Sequence, residues 1–74
     1  MYAVNDRLVA STIIEALGRN GALEVEDLYK SVQKLYSDID RRFFEETLMG
    51  LEIQGLVRVV SMARDKRRIE LVGR

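Results

Sequence analysis

Residues 43–72 read FFEETLMGLEIQGLVRVVSMARDKRRIELV, and this stretch decides the fold that the sequence predicts. Its first part carries apolar side chains at helical spacing and stops at Gly55, a residue type that commonly ends helices. Two runs with a period of two follow, Leu56–Met62 and Arg68–Val72, as in a β-hairpin. Because the connection contains no glycine, a loop of three to five residues is expected there. The stretch therefore predicts a helix, a glycine stop and a hairpin with a cationic tip.

Three helices are expected before the hairpin. The first runs from about Asp6 to Leu17 and the third from about Asp40 to Gln54, each preceded by Asn or Asp side chains that can cap it. The second runs from about Glu24 to Leu35 or Tyr36 and is amphipathic. Its apolar stripe consists of Val25, Leu28, Val32 and Leu35. Residues 22–25, just before it, are read either as a short strand or as an extended link.

The length and composition describe one small folded domain. The chain has 74 residues, of which 47% are apolar and 32% charged, as in ordinary globular domains. No apolar run approaches the roughly 20 residues that a membrane-spanning helix needs. The first residues, Met1–Asp6, lack the pattern of a signal peptide. A cytoplasmic protein without membrane contact is expected.

The chain contains neither cysteine nor histidine. This excludes disulfides, thiol nucleophiles and the usual general base, and it leaves only carboxylates for binding metal. A domain without enzymatic activity, cofactor or metal is therefore expected. The absence of cysteine, a thermolabile residue, also fits a thermophile.

Charge is distributed unevenly along the chain, although the formal net charge is zero. Residues 1–56 carry six basic and ten acidic side chains, a balance of −4, whereas residues 57–74 carry six basic and two acidic ones, a balance of +4. Such a dipolar surface favours a partner that binds in one orientation.

The order of elements and two sequence motifs resemble the winged-helix superfamily. The first motif is GALEVEDL at residues 21–28, and the second is Leu48-x-x-Leu51-x-x-x-Gly55-Leu56-Val57 with a basic hairpin after it. The resemblance covers about Asp6 to Val72, and the second motif looks like that of many small bacterial and archaeal winged-helix regulators. It implies an α+β fold, a three-helix winged helix-turn-helix with a C-terminal β-hairpin wing. In that family the third helix commonly enters the DNA major groove and the wing contacts phosphate or the minor groove.

The first functional hypothesis is therefore a small transcriptional regulator that binds double-stranded DNA. Cations on the hairpin would contact phosphates, and two arginines would approach the DNA from the start of the third helix. These candidate DNA-binding residues are Arg41, Arg42, Arg58, Arg64, Lys66, Arg67 and Arg68. The alternative interpretation of the hairpin cations is a solubilising tip that discourages edge pairing.

The third helix favours a second hypothesis, a protein-interaction module within a larger assembly. Residues 38–54 carry two basic and five acidic side chains, a balance that repels phosphates. Apolar residues on the same outward face can mark a protein interface, although single exposed apolar side chains are also common. The candidate interface residues are Glu45, Glu46, Met49 and Ile53. A continuous positive path from the hairpin to the third helix would favour DNA, and a positive tip isolated by a negative helix would favour a protein partner.

A homodimer is a further expectation. Leu8 and Ile14 fall outside the main apolar stripe of the first helix and could form a dimer contact. Alternatively, they pack on the third helix or on the segment Tyr2–Val4.

Overall fold

The computed structural model describes residues 5–72 and shows an α+β domain of three helices and a three-stranded antiparallel sheet. The predicted class is confirmed. The elements, in chain order, are α1 (Asp6–Asn20), β1 (Ala22–Glu24), α2 (Val25–Leu35), α3 (Arg41–Ile53), β2 (Val57–Met62) and β3 (Lys66–Leu71). The sheet order is β1-β3-β2, so the last strand along the chain is the central one.

Local chemistry accounts for the ends of the helices. Asn5 caps α1 by accepting the backbone N–H of Leu8 at 3.0 Å, and Asp40 caps α3 by accepting that of Phe43 at 3.2 Å. The helix α1 continues to Asn20, three residues beyond the predicted end at Leu17. It stops at Gly21, whose φ of 84° and ψ of −69° suit glycine.

The strand interpretation of residues 22–25 is confirmed for Ala22–Glu24, which pairs with β3. In the hairpin, Met62 pairs with Lys66, which leaves a loop of three residues, Ala63–Asp65, within the expected range of three to five. The strand β3 begins at Lys66, two residues before the predicted start at Arg68. The loop is nevertheless tight, since Lys66 N–H donates to the carbonyl of Ala63. Arg64 and Asp65 take positive φ angles of 64° and 63°, a conformation that costs non-glycine residues energy.

One core lies between the helices and the inner face of the sheet. Its fully buried side chains include Ile13 of α1, Leu28 of α2, Phe44 of α3 and Ile69 of β3. Leu35 was predicted in the α2 stripe but is 66% exposed, because α2 ends at this residue and the chain leaves the core there. Ile39, in the following turn, is buried, and its carbonyl accepts a hydrogen bond of 3.0 Å from the Tyr29 hydroxyl.

Candidate functional site

Arg41, a candidate for approaching DNA, is held by contacts at the surface where α2 and α3 meet, and its side chain is 38% exposed. Its Nη1 and Nη2 donate to the two carboxylate oxygens of Glu26 at 2.9 and 2.7 Å, and its Nε donates to Glu45 at 3.0 Å. Its guanidinium carbon lies 4.7 Å from the ring centroid of Tyr29 and 5.8 Å from that of Phe44. Three carboxylate contacts and two aromatic rings fix this side chain, so binding phosphate would require breaking them.

Arg67 was predicted at the exposed hairpin tip, but it lies within β3, beyond the loop Ala63–Asp65. It points from the inner face of β3 to α3, where Nη1 and Nη2 donate to the two oxygens of Glu45 at 3.1 and 2.9 Å. Glu45 therefore accepts from two arginines at once. Together the four side chains form a charge-alternating row, Glu26–Arg41–Glu45–Arg67, which we call the ion row. It joins α2, α3 and β3.

The ion row shifts the pKa of each of its members toward the charged form. Hydrogen bonding to Arg67 lowers the pKa of Glu45, and hydrogen bonding to Arg41 lowers that of Glu26. The same contacts raise the pKa of Arg41, chiefly through Glu26, and that of Arg67, through Glu45. Partial burial opposes every one of these shifts but does not reverse them. The row is thus fully ionised at neutral pH and carries no net charge.

The outer face of the sheet pairs three more candidate cations. Arg58 on β2 and Arg68 on β3 share one carboxylate, that of Glu70, at 3.0 and 3.2 Å. Lys66 lies 3.8 Å from Glu24 of β1. Opposite charges on neighbouring strands contribute to sheet stability, which gives these cations a structural role of their own.

Five of the seven candidate DNA-binding cations are therefore paired within the domain. Arg42 and Arg64 are exposed and form no ion pair with another residue of the range 5–72. The neutral ion row lies between β3 and the start of α3. A continuous positive path from the hairpin tip to that helix start is not formed by the side chains that the structure describes.

The outward face of α3 carries the candidate interface residues in two different environments. Glu45 is engaged in the ion row, whereas Glu46 is exposed and free of ion pairs within the described range. Met49 is 57% exposed and Ile53 is 78% exposed. Met49 borders a groove of about 250 Å³ between α3 and the hairpin, whose lining also includes Leu48, Val59 and Ser61. This volume lies below the roughly 300–1,000 Å³ that is typical of small-molecule sites.

Of the two residues predicted for a homodimer contact, Ile14 lines a second groove. This groove, of about 360 Å³, separates α1 from α3 and includes Ile14, Thr47 and Leu51 in its lining. Ile14 is partly buried against the core, in agreement with the alternative prediction of a core contact. Leu8 remains exposed. The segment Tyr2–Val4, the other predicted contact, lies outside the described residues.

Residues 5–72 contain no group of three or more Asp or Glu side chains close enough to hold a metal ion. None of the helices in this part of the chain has the length and apolar character needed to cross a membrane. Comparison of the sequence with protein-family models and with curated proteins, and of the fold with solved structures, found no match in any of the three.

Proposed function

We propose that this chain is a winged-helix-type domain that binds another protein through the outward face of α3. Three helices, the sheet order β1-β3-β2 and a C-terminal hairpin support the winged-helix assignment. The observation that carries the function is the contrast between the two candidate surfaces. Most of the cations are engaged within the domain, while Met49 and Ile53 are exposed one helical turn apart.

The apolar pair can contribute substantial binding energy. Full burial of an Ile or Met side chain stabilises a complex by roughly 1.5–3 kcal/mol. Scaled by the exposed fractions of Met49 and Ile53, the pair offers about 3 kcal/mol, or roughly a hundred-fold in affinity. Glu46 and Glu52, both exposed on α3, frame the pair. A partner with an apolar centre and basic flanks would complement this surface.

The test compares three forms of the chain as bait in an extract of the source cells, followed by binding measurements with the purified partner. The double variant Met49→Ser/Ile53→Ser should bind the partner with an affinity roughly a hundred-fold lower than that of the unchanged chain. Leu35→Ser is the matched control, because Leu35 is also a largely exposed apolar residue but ends α2 instead. Equal binding by the double variant and the control would contradict the proposal.

DNA binding is the second candidate function, and it is favoured by the surface cations that are not fully paired with carboxylates. Arg42 and Arg64 are free of ion pairs in the described range, and Arg58 and Arg68 share one carboxylate. About three phosphate contacts would follow, so affinity for duplex DNA should fall about forty-fold between roughly 50 and 200 mM salt. Absence of binding at about 50 mM salt would eliminate this candidate, and Arg64→Ala should weaken any binding that is seen.

A further inference from the structure

The hydrogen-bond pattern shows which residues of β2 turn their backbone groups away from β3. Val72 N–H donates to the carbonyl of Leu56 at 3.0 Å, so this pair is a bonded pair of the register. Bonded and non-bonded pairs alternate along an antiparallel register. The N–H and C=O groups of Val57, Val59 and Ser61 therefore point to the side of β2 that has no strand partner within residues 5–72.

Only the second half of this edge is open. Val57 is 2% exposed, so the chain itself covers the edge at that residue. Val59 is partly exposed and Ser61 is exposed. These two residues present an N–H and a C=O group each to a further strand.

The groove between α3 and the hairpin runs along the open part of the edge. Val59 and Ser61 form its wall on β2, and Leu48, Met49 and Glu52 form its wall on α3. A chain that bonds to the backbone of β2 here therefore passes beside Met49, one of the two apolar residues on which the proposed function rests. One extended segment can thus contact the edge of the sheet and the face of α3 together.

The groove carries a net negative charge. Its lining includes two carboxylates, of Glu45 and Glu52, and one cation, Arg67, a balance of −1. Both oxygens of Glu45 accept hydrogen bonds from Arg67. Glu52 is exposed and forms no ion pair with another residue of the range 5–72. The groove therefore complements a cation and repels phosphate.

We infer that the partner contributes an extended segment that adds to β2 as a fourth, antiparallel strand at Val59 and Ser61. Two residues of this segment, two positions apart, face the groove. The first is apolar and lies against Met49, and the second is Lys or Arg and pairs with Glu52. The inference rests on the proposed function, because Met49 belongs to both, and it adds the conformation and the charge of the bound segment.

Geometry sets the spacing and the order of the two residues. Met49 and Glu52 are three positions apart on α3, about 4.5 Å along the helix axis, and alternate residues of a strand are about 6.7 Å apart on one face. Arg67 pairs with Ser61 in the sheet and bonds to Glu45 in the first half of α3, so α3 runs antiparallel to β2. Glu52 then lies toward Val59, and an antiparallel segment reaches Met49 first.

A helix or a second copy of this chain complements the edge less well. The backbone groups of a helix are paired internally and do not bond to a strand. The edge strand β1 of a second copy carries Glu24 as its one charged residue. The one charged residue of β2, Arg58, bonds to Glu70 of its own domain. Neither strand brings a free cation to Glu52, so a segment of a different protein is the better complement.

Nuclear magnetic resonance of the isotope-labelled chain tests the inference with a defined probe. The probe is a set of capped pentapeptides with Lys fourth, Thr first, third and fifth, and Val, Ile, Leu, Met or Phe second. It is added at millimolar concentration, since short segments with few contacts bind weakly. The backbone amide resonances of Val59 and Ser61 should move to lower field as their N–H groups gain acceptors, whereas that of Val57 should not. Replacing Lys by Glu in the probe should weaken binding about five-fold.

Two controls separate strand addition from other binding. Probes methylated on the backbone nitrogens of the second and fourth residues keep every side chain but lose two donors, so their affinity should fall about thirty-fold. Glu52→Gln should abolish the preference for Lys over Glu in the probe. Glu46→Gln is the matched variant, because Glu46 is also exposed on α3 but lines the other groove. It should leave the preference unchanged.

Three results would overturn the inference: unchanged amide resonances at Val59 and Ser61, equal binding of the methylated probes, or a preference for Lys that survives Glu52→Gln. The same holds if these amide resonances move with the concentration of the chain alone, because a second copy then occupies the edge. None of these results changes the comparison of Met49→Ser/Ile53→Ser with Leu35→Ser, so the two proposals fail separately.

Discussion

Replacing Glu45 by glutamine should destabilise the domain far more than the same change at the next residue. Glu45 accepts three charge-assisted hydrogen bonds, one from Arg41 and two from Arg67. A hydrogen bond to a charged group contributes about 1.5–3 kcal/mol when shielded from water, whereas an exposed ion pair contributes about 0–1 kcal/mol. The Glu45 side chain is 30% exposed, between these limits. After discounting for solvent, we expect a loss of roughly 2 kcal/mol from the free energy of unfolding.

Thermal and urea denaturation, followed by circular dichroism, measure this effect. A loss of roughly 2 kcal/mol should lower the melting temperature by about 10 °C in a domain of this size. Glu46→Gln is the control, since Glu46 is an exposed neighbour on α3 that forms no ion pair within residues 5–72. A double-mutant cycle with Arg67→Gln should give a coupling energy of about 1–2 kcal/mol. If Glu45→Gln and Glu46→Gln lower the free energy of unfolding by the same amount within about 0.5 kcal/mol, the ion row contributes no more to stability than exposed surface ion pairs do.

A change of pH tests the ion row further, and a substitution at Arg64 tests the geometry of the hairpin loop. The folded-state pKa values of Glu26 and Glu45 lie below their ordinary value of 4.5, so their contribution is complete above that pH and is lost as pH falls through the lowered values. The stability gap between the unchanged chain and Glu45→Gln, measured by urea titration from neutral pH downward, should therefore narrow below about pH 4.5; a constant gap would refute the assignment. Arg64→Gly relieves a positive φ of 64° and should stabilise the domain by about 1 kcal/mol; Ala63→Gly, its neighbour, should not, and a destabilised Arg64→Gly would contradict the turn geometry.

Local patterns predicted most of the secondary structure. Capping residues, apolar periodicity and Gly55 located all three helices and the hairpin, because each of these signals acts between residues close together in the chain. The end of α1 was placed too early because Gly18 is tolerated inside the helix, which Gly21 ends instead. Leu35 follows the apolar stripe of α2 yet is exposed, since periodicity does not show where the chain turns away from the core.

The ion row could not be predicted in the same way. Arg41 and Glu45 have the spacing of a helical pair, but Arg41 and Glu26 are separated by 15 positions and Arg67 and Glu45 by 22. These contacts depend on how α2, α3 and β3 pack together. The charge balance of the third helix includes Glu45 as an unpaired carboxylate, whereas in the structure Arg41 and Arg67 both pair with it. For the same reason, fewer hairpin cations are available to a ligand than the sequence pattern predicts.

The central position of β3 also has a consequence for the order of folding events. Met62 and Lys66 are four positions apart, so β2 and β3 can pair within microseconds, whereas Leu23 must find Ile69 across 46 positions. Closing the longer loop costs more chain entropy, which places the docking of β1 late. Leu23→Ala should then accelerate unfolding and leave the refolding rate nearly unchanged in a chevron analysis, whereas a slower refolding limb would place β1 in the transition state.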